Sequence, residues 1–340
     1  MLNTVYRLVA PRRFEIEFTD IDLHGGNIIV KPTHLSICRA DQRYYQGTRP
    51  AKILKQKLPM ALIHECVGRI VLDPTNNYKI GQKVVLIPNV PSKTHNKDMY
   101  ENYEKGSKFL SSGIDGFMRE FVDVPADRIV PYGDMVPENI AAICEFISVT
   151  VHAANRFKNI SHNIRNKIGI WGDGSLAYVL ACVLRQTFPN SKIAVIGRDG
   201  YKLSQFSFVD ETYFSDDIPE DFSIDHAFEC AGGEGSYYAI DDIIKYINPQ
   251  GTVMLLGVSE NKVAINTRDI LEKGLTLIGS SRSGIEDFKK AVLFLEDEKF
   301  RKRINRIIFE DRPVNSVQDI HRVFETDLKT QFKTVFKWNL

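Results

Sequence analysis

Residues 168–181 read IGIWGDGSLAYVLA and limit the fold more than any other stretch of the chain. An apolar run ends at Gly172, a second glycine follows at Gly174, and Ala177 opens a long apolar segment with helical spacing. Gly172 permits a sharp strand-to-helix turn. Gly174 leaves no side chain to hold a pyrophosphate away from backbone amides, and Ala177 lets helix and strand pack closely. The anion then sits at a helix N-terminus, where N–H groups point outward. Alone, the pattern also fits a strand–helix turn that merely needs glycine. The preceding strand, the following helix and a second strand arriving on schedule favour dinucleotide binding.

From about residue 150 the chain alternates between two textures. KIGIWGDG, KIAVIGR, DHAFECAG, GTVMLLGV and LTLIGSS read as buried strands. SLAYVLACVLRQTF, the stretch around 200–208 and SYYAIDDIIKYI read as helices. Such alternation builds βαβ units and a parallel sheet covered on both faces. The first ~145 residues differ: FEIEF, NIIVKP, GRIVL, QKVVLIP, MREFVDV and DRIVPY are short runs punctuated by Gly, Pro and Asp. They predict a barrel-like β domain. The polar stretch 91–116 reads as a long loop, and the last ~55 residues mix a helix (GIEDFKKAVLFLEDEKF) with strand signals.

Composition removes several function classes. Of 340 residues, 44 are Lys or Arg and 43 Asp or Glu, so the formal charge of +1 offers no general attraction to nucleic acid or an anionic membrane. The cysteines, Cys38, Cys66, Cys144, Cys182 and Cys230, are odd in number and not closely paired, which suits a reducing compartment. The N-terminal residues lack a signal-peptide core, and the apolar runs fall short of the ~20 residues a bilayer span needs. A cytoplasmic protein is expected.

The coenzyme is legible at the end of the second strand, Ile196-Gly197-Arg198. An NAD site usually places an acid there for the ribose 2′-hydroxyl. Gly197 makes room instead, and Arg198 and Lys202 can pair with a 2′-phosphate. NADPH is therefore favoured, with Asp199 the neighbour that argues against it. Val258 and Ser280, at the ends of the GTVMLLGV and LTLIGSS runs, join the expected cofactor contacts.

Cys38, His64, Glu65 and Glu145 offer a thiolate, an imidazole and carboxylates, the donors that zinc takes. Their spacing alone does not decide the set, and Cys66 and Cys144 compete. The whole chain resembles the medium-chain zinc-dependent dehydrogenases/reductases. The resemblance rests on Cys38, on Ile63-His64-Glu65 (isoleucine where the family usually has glycine), on E-x-x-S-V-x-x-H-A from Glu145, and on D-x-x-F-E-C-x-G from Asp225. It implies a GroES-like β-rich catalytic domain over residues 1–147, a Rossmann doubly wound parallel-sheet domain over 148–279, and a return to the catalytic domain over 280–340. It implies one catalytic zinc on Cys38, His64 and Glu145, with Glu65 a ligand or just outside. Cys144 competes for the role of Glu145, and Cys66 reads as core. No cysteine lies in the stretch where relatives carry a structural-zinc lobe, so no second zinc is expected. Ala40 stands where many relatives have a hydroxyl relay, which leaves Tyr44, Tyr45 or a water held by Glu65.

Longer strings resemble one subgroup, the ribulose-5-phosphate reductases of ribitol teichoic-acid and capsule synthesis. They include SICRADQRYYQGTRP, KLPMALIHE, SQFSFVDE and LEKGLTLIGSSRSG. The resemblance implies NADPH-dependent reduction of D-ribulose 5-phosphate to D-ribitol 5-phosphate. Arg39, Arg43, Arg49 and Lys52 follow Cys38 closely, and Arg282 follows the last strand run. Arg39 is assigned to the coenzyme pyrophosphate; Arg43, Arg49 and Arg282 are candidates for the substrate phosphate. A homodimer joined at the Rossmann sheet edge is expected, with a ribitol-5-phosphate cytidylyltransferase as functional partner. The rival readings are an NAD(P)-dependent polyol dehydrogenase acting on an unphosphorylated sugar alcohol, a metal-free reductase of the same superfamily, and an NADPH-binding redox sensor or partner subunit.

Overall fold

A computed structural model describes residues 1–94, 96 and 98–340. The chain divides into two units, one formed by Met1–Ser148 with Ser283–Leu340 and the other by Val149–Arg282. One is β-rich and the other is built on a parallel sheet, the pair of architectures expected from the sequence.

The β-rich unit is organised around a seven-stranded sheet. Its path runs Ile129–Pro131, Lys83–Leu86, Glu65–Leu72, Ile28–Ser36, Lys333–Trp338, Ile308–Val314, with Val122–Val124 also paired to Ile28–Ser36. A smaller sheet sets Leu2–Ala10 between Arg13–Asp20 and Met60–Ala61. Tyr6, Phe14, Tyr45, Met60, Leu62, Phe117, Phe324, Phe336 and Trp338 share one apolar core. The two chain ends are thus interleaved: strand Lys333–Trp338 pairs antiparallel with Ile28–Ser36, matching Val335 to Ser36.

The described residues of 91–116 are largely turn, as the polar composition suggested, with a short strand Lys108–Phe109 paired to Asn89–Val90; residues 95 and 97 of that stretch lie outside the described residues. Glu101 ties this segment down by accepting from buried Arg128 at 2.9 Å and from the Ile285 amide at 3.3 Å. Further along, residues 116–118 bond across to residues 61–63. Gly116 makes that approach possible, because a Cβ there would lie 2.3 Å from the Ile63 carbonyl oxygen.

The second unit is a six-stranded sheet, every pair parallel, in the order Glu211–Phe214, Lys192–Gly197, Lys167–Trp171, Ile224–Glu229, Ile247–Leu255, Thr276–Gly279. The first strand in sequence lies inside the sheet, and the order reverses beside it. In such sheets ligands bind outside the carboxyl ends of the strands at the reversal. Ile168, Ile170, Ile193, Val195 and Phe228 are fully buried, which accounts for the near-continuous apolar runs. The strand Glu211–Phe214 went unread in the sequence. It is a short edge strand of alternating exposure, ETYF, and carries no apolar run.

Candidate metal and coenzyme sites

Strand register assembles the metal-binding candidates. Ser36 lies opposite Glu65 in the pairing of Ile28–Ser36 with Glu65–Leu72. Cys38 follows Ser36 by two residues and His64 precedes Glu65 by one, so the two strand ends deliver their side chains to one place. One donor atom each from Cys38, His64 and Glu65 lies within 4.8 Å of the others. His64 and Glu65 are buried and Cys38 is half-buried.

Asp41 organises this trio, although its place in the sequence does not single it out. Cys38 caps the helix Arg39–Tyr45, which puts Asp41 in its first turn. The Asp41 carboxylate accepts from the Cys38 amide at 3.0 Å, the Ile63 amide at 3.1 Å and the Ser111 hydroxyl at 2.8 Å. It lies 3.6 Å from His64 Nδ1, which leaves Nε2 as the nitrogen for a metal. Burial opposes charge on Asp41, but His64, Ser111 and the Cys38 amide hold its carboxyl below the usual range. Burial likewise opposes charge on His64, and Asp41 with Cys38 raises it well above its ordinary value. Phe109 covers the His64 ring at 5.2 Å.

Ile63 stands where the resemblance leads one to expect glycine, and it adopts φ +68°. A β-branched residue in the left-handed region is strained. Asp41 grips its N–H and the Phe117 amide grips its carbonyl, so both neighbours of the strained peptide help to aim His64.

Lys333 supplies the countercharge. Its ammonium donates to Glu65 Oε1 and to the Ile37 carbonyl, each at 2.7 Å. The other Glu65 oxygen is buried with no hydrogen-bond partner among the described residues. A thiolate, an imidazole and an orphaned carboxylate oxygen within one small sphere fit a borderline-soft divalent ion such as zinc.

Glu145 lies in the first turn of the helix Cys144–Ile160 and is buried. Its carboxylate is outside the converging trio but within its field. Burial pushes it up to about 7; Glu65 and Asp41 add to the rise while His64 and Lys333 oppose it. Cys144 and Cys66 are buried, and burial raises both thiols. Neither joins the trio.

The cationic candidates and the tyrosines lie along the helix Arg39–Tyr45 and the residues just beyond its C-terminus. Arg39 is exposed at the first helical position, Arg43 and Arg49 are half-buried, and Lys52 is exposed. Arg49 lies over the ring of buried Tyr44 at 4.4 Å. The Tyr45 hydroxyl donates to Glu325 at 3.1 Å and lies 3.2 Å from His321 Nδ1, so it is engaged away from the trio. Arg282 is the last residue of the other unit, at φ +57°.

In the parallel-sheet unit the glycine turn is built as its spacing demands. Gly172 has φ +132°, and a Cβ there would lie 2.9 Å from the Cys230 carbonyl carbon. Gly174 is the N-cap of the helix Ser175–Thr187, and a Cβ on it would meet nothing within 4 Å. Open space at a helix N-terminus fits a pyrophosphate. Ala177 is fully buried against the sheet. At the end of the next strand Arg198 is exposed and Lys202 half-buried. Asp199 caps the helix Gly200–Ser204 by accepting the Lys202 amide at 3.1 Å. Its carboxylate is thereby occupied, which weakens the objection it raised to NADPH. Val258 is exposed and its carbonyl accepts the Gly233 amide at 2.9 Å. The Ser280 hydroxyl is buried without a partner among the described residues. Glu229, one residue before Cys230, accepts from the amides of Ala231, Gly232 and Gly257 and from the Ser236 hydroxyl, at 2.9–3.0 Å.

Comparison with known proteins identifies both domain types. Residues 24–137 match the alcohol dehydrogenase GroES-like domain, and residues 207–297 match the zinc-binding dehydrogenase domain. The ribulose-5-phosphate reductase of Streptococcus pneumoniae is 51% identical over 341 residues, covering 100% of this chain and 98% of that protein. The chain belongs to the ribulose-5-phosphate reductase family. Another ribulose-5-phosphate reductase, from Bacillus spizizenii, is 46% identical with full coverage of both chains. Among solved structures, S. aureus TarJ in complex with NADPH superposes with a TM-score of 0.88 at 44% identity, covering both chains completely. As a ribulose-5-phosphate reductase family member, the chain is covered from end to end by these relatives.

Proposed function

We propose that the chain reduces D-ribulose 5-phosphate to D-ribitol 5-phosphate with NADPH, supplying ribitol phosphate for teichoic-acid or capsule precursors. The convergence of Cys38, His64 and Glu65 within 4.8 Å carries this reading. Full-length similarity to ribulose-5-phosphate reductases and to an NADPH-bound structure supports it.

Zinc held by Cys38, His64 and Glu65 would supply Lewis-acid polarisation of the C2 ketone, and NADPH at the glycine turn would supply the hydride. The chain's own residues do the rest. Cys38, His64 and Glu65 hold the metal, and Glu145 stands ready beside them as a further carboxylate. Asp41 fixes the His64 ring, and Lys333 offsets the charge of Glu65. Gly172, Gly174 and Ala177 seat the pyrophosphate, and Arg198 with Lys202 meets the 2′-phosphate. Arg43, Arg49 and Arg282 remain the candidates for the substrate phosphate, which arginine can hold through paired N–H donors. With no hydroxyl at Ala40 and that of Tyr45 engaged, Tyr44 or a water held by Glu65 is assigned to relay the proton that reaches the C2 oxygen.

The same reading places the enzyme in the cytoplasm, as a homodimer, with a ribitol-5-phosphate cytidylyltransferase consuming its product. Among the described residues no helix is long and apolar enough to cross a membrane. The Thr276–Gly279 strand forms one edge of the parallel sheet and is the assigned dimer contact, which sedimentation analysis tests.

The deciding experiment is Cys38→Ser. The variant is expected to lose metal and turnover while its NADPH titration stays near that of the unaltered protein. A metal-free variant that reduces the ketose at a normal rate overturns the reading. Ribulose compared with ribulose 5-phosphate at equal concentration tests the phosphate requirement; equal rates favour a polyol dehydrogenase instead.

A further inference from the structure

The geometry points to Asp173, the middle residue of the Gly172-Asp173-Gly174 turn, as a specificity-determining residue that locks position 197 to glycine and thereby excludes an NAD-type acid. This role rests on the NADPH reading of the site and supplies the reason why that preference resists simple reversal.

A Cβ added at Gly197 would lie 2.7 Å from the Asp173 Cβ, 2.7 Å from its Oδ2 and 3.0 Å from its Cγ. The first of these contacts decides the matter, because a Cβ cannot swing aside as a side-chain tip can. Nor is the carboxylate free to leave. Its Oδ2 accepts the Arg198 amide at 2.7 Å and the Asp199 amide at 2.8 Å. Bonds from amides to an ionised carboxylate are the stronger kind. They pin the turn that carries Arg198 and leads to Lys202.

In an NAD site, the residue at the end of this strand reads the ribose 2′-hydroxyl with an acid. Here any side chain at 197 collides with Asp173, and an acid there also brings a second negative charge against the first. The other carboxylate in reach, Asp199, is fixed by its helix cap. Asp173 therefore holds the turn in the form that presents cations, and it fills the space an NAD-type acid needs.

The test is coenzyme binding followed by the fluorescence of NADPH and of NADH, without substrate, on the full chain. Gly197→Asp alone is expected to weaken both coenzymes about tenfold or more, about 1.4 kcal/mol each, and to create no NADH preference. Asp173→Gly with Gly197→Asp removes the obstructing Cβ. That double variant is expected to bind NADH at least about tenfold more tightly than Gly197→Asp does, a coupling that a double-mutant cycle isolates. Asp173→Asn with Gly197→Asp keeps the Cβ and is expected to remain as poor for NADH as the single variant, so the proposal stays testable if the glycine-rich double variant does not fold. A Gly197→Asp protein that already binds NADH as well as the double variant overturns the proposal, as does a double variant no better than the single. Equal affinity of the unaltered protein for NADPH and NADH is a separate result and overturns the NADPH reading itself.

Discussion

The ammonium of Lys333 and the carboxylate of Glu65 meet at 2.7 Å with 4% and 0% of their side chains exposed. The pair joins residues far apart in sequence at the edge of the candidate metal centre. Removing one partner of such a buried pair strands the other charge, typically at 3–5 kcal/mol. Lys333→Met is therefore expected to destabilise the protein by about that amount and to lower its metal content. Denaturant titration and elemental analysis of the purified variant check both. A variant with ordinary stability and full metal loading shows that Glu65 does not need this countercharge.

Asp41 predicts a subtler effect. Outer partners of metal-bound histidines commonly contribute 10–100-fold in affinity. Asp41→Asn keeps the shape but weakens acceptance from Cys38, Ile63 and Ser111. It is expected to raise the zinc dissociation constant by about that range. The NADPH titration should not move, because the glycine turn belongs to the other unit. Competition with a chelator of known affinity measures the first, and coenzyme fluorescence the second.

Ile63 offers a test of backbone strain. Glycine there relieves a left-handed penalty of roughly 1–2 kcal/mol but forfeits a buried side chain worth about 1.5–3 kcal/mol. Alanine forfeits most of the burial and keeps the strain. Ile63→Gly is thus expected to melt above Ile63→Ala, by about 1 kcal/mol in stability, although glycine ordinarily ranks below alanine. The opposite order in thermal melts shows that residue 63 does not hold φ +68° in solution.

The parallel sheet carries a pH-sensitive group in His226. Its Nδ1 accepts the Thr252 amide at 3.0 Å, so the neutral ring keeps its proton on Nε2. Burial first, and His162 second, push its pKa down to about 4 from 6.5. As pH falls from 6.5 towards 4, the unfolded chain takes up a proton that the folded one refuses, so stability falls with pH across that window. The loss approaches about 3 kcal/mol by linkage. His226→Asn keeps an acceptor near Nδ1 and should lessen the loss of stability between pH 6.5 and 4 relative to the unaltered protein. An unchanged slope locates the acid sensitivity elsewhere.

Much of this was legible in the sequence because the signals were local. The run from Ile168 to Ala177 declares its strand, turn and helix within ten residues. Gly197 and Arg198 announce their coenzyme in two. Cys38, His64 and Glu65 were found through resemblance, and the Ser36–Glu65 register explains why they meet. Glu145 illustrates the limit: resemblance put it among the zinc ligands, whereas the donor atoms that lie within 4.8 Å of one another belong to Cys38, His64 and Glu65. Asp41 was visible three residues past Cys38 yet reads in sequence as an ordinary first-turn acid. Lys333 could not be found, since no periodicity links it to Glu65 and only a buried strand brings it there. Glu211–Phe214 was missed because an edge strand needs only one apolar face.

The position of Lys333–Trp338 in the interior of its sheet, between Ile28–Ser36 and Ile308–Val314, has a temporal side. A ribosome delivers the chain from its amino end, and domains tend to fold in the order they emerge. The coenzyme-binding half is thus complete while its neighbour still lacks an inner strand and the lysine that neutralises Glu65. The half that carries Cys38, His64 and Glu65 is therefore the last to be finished, because one of its inner strands is among the last residues made.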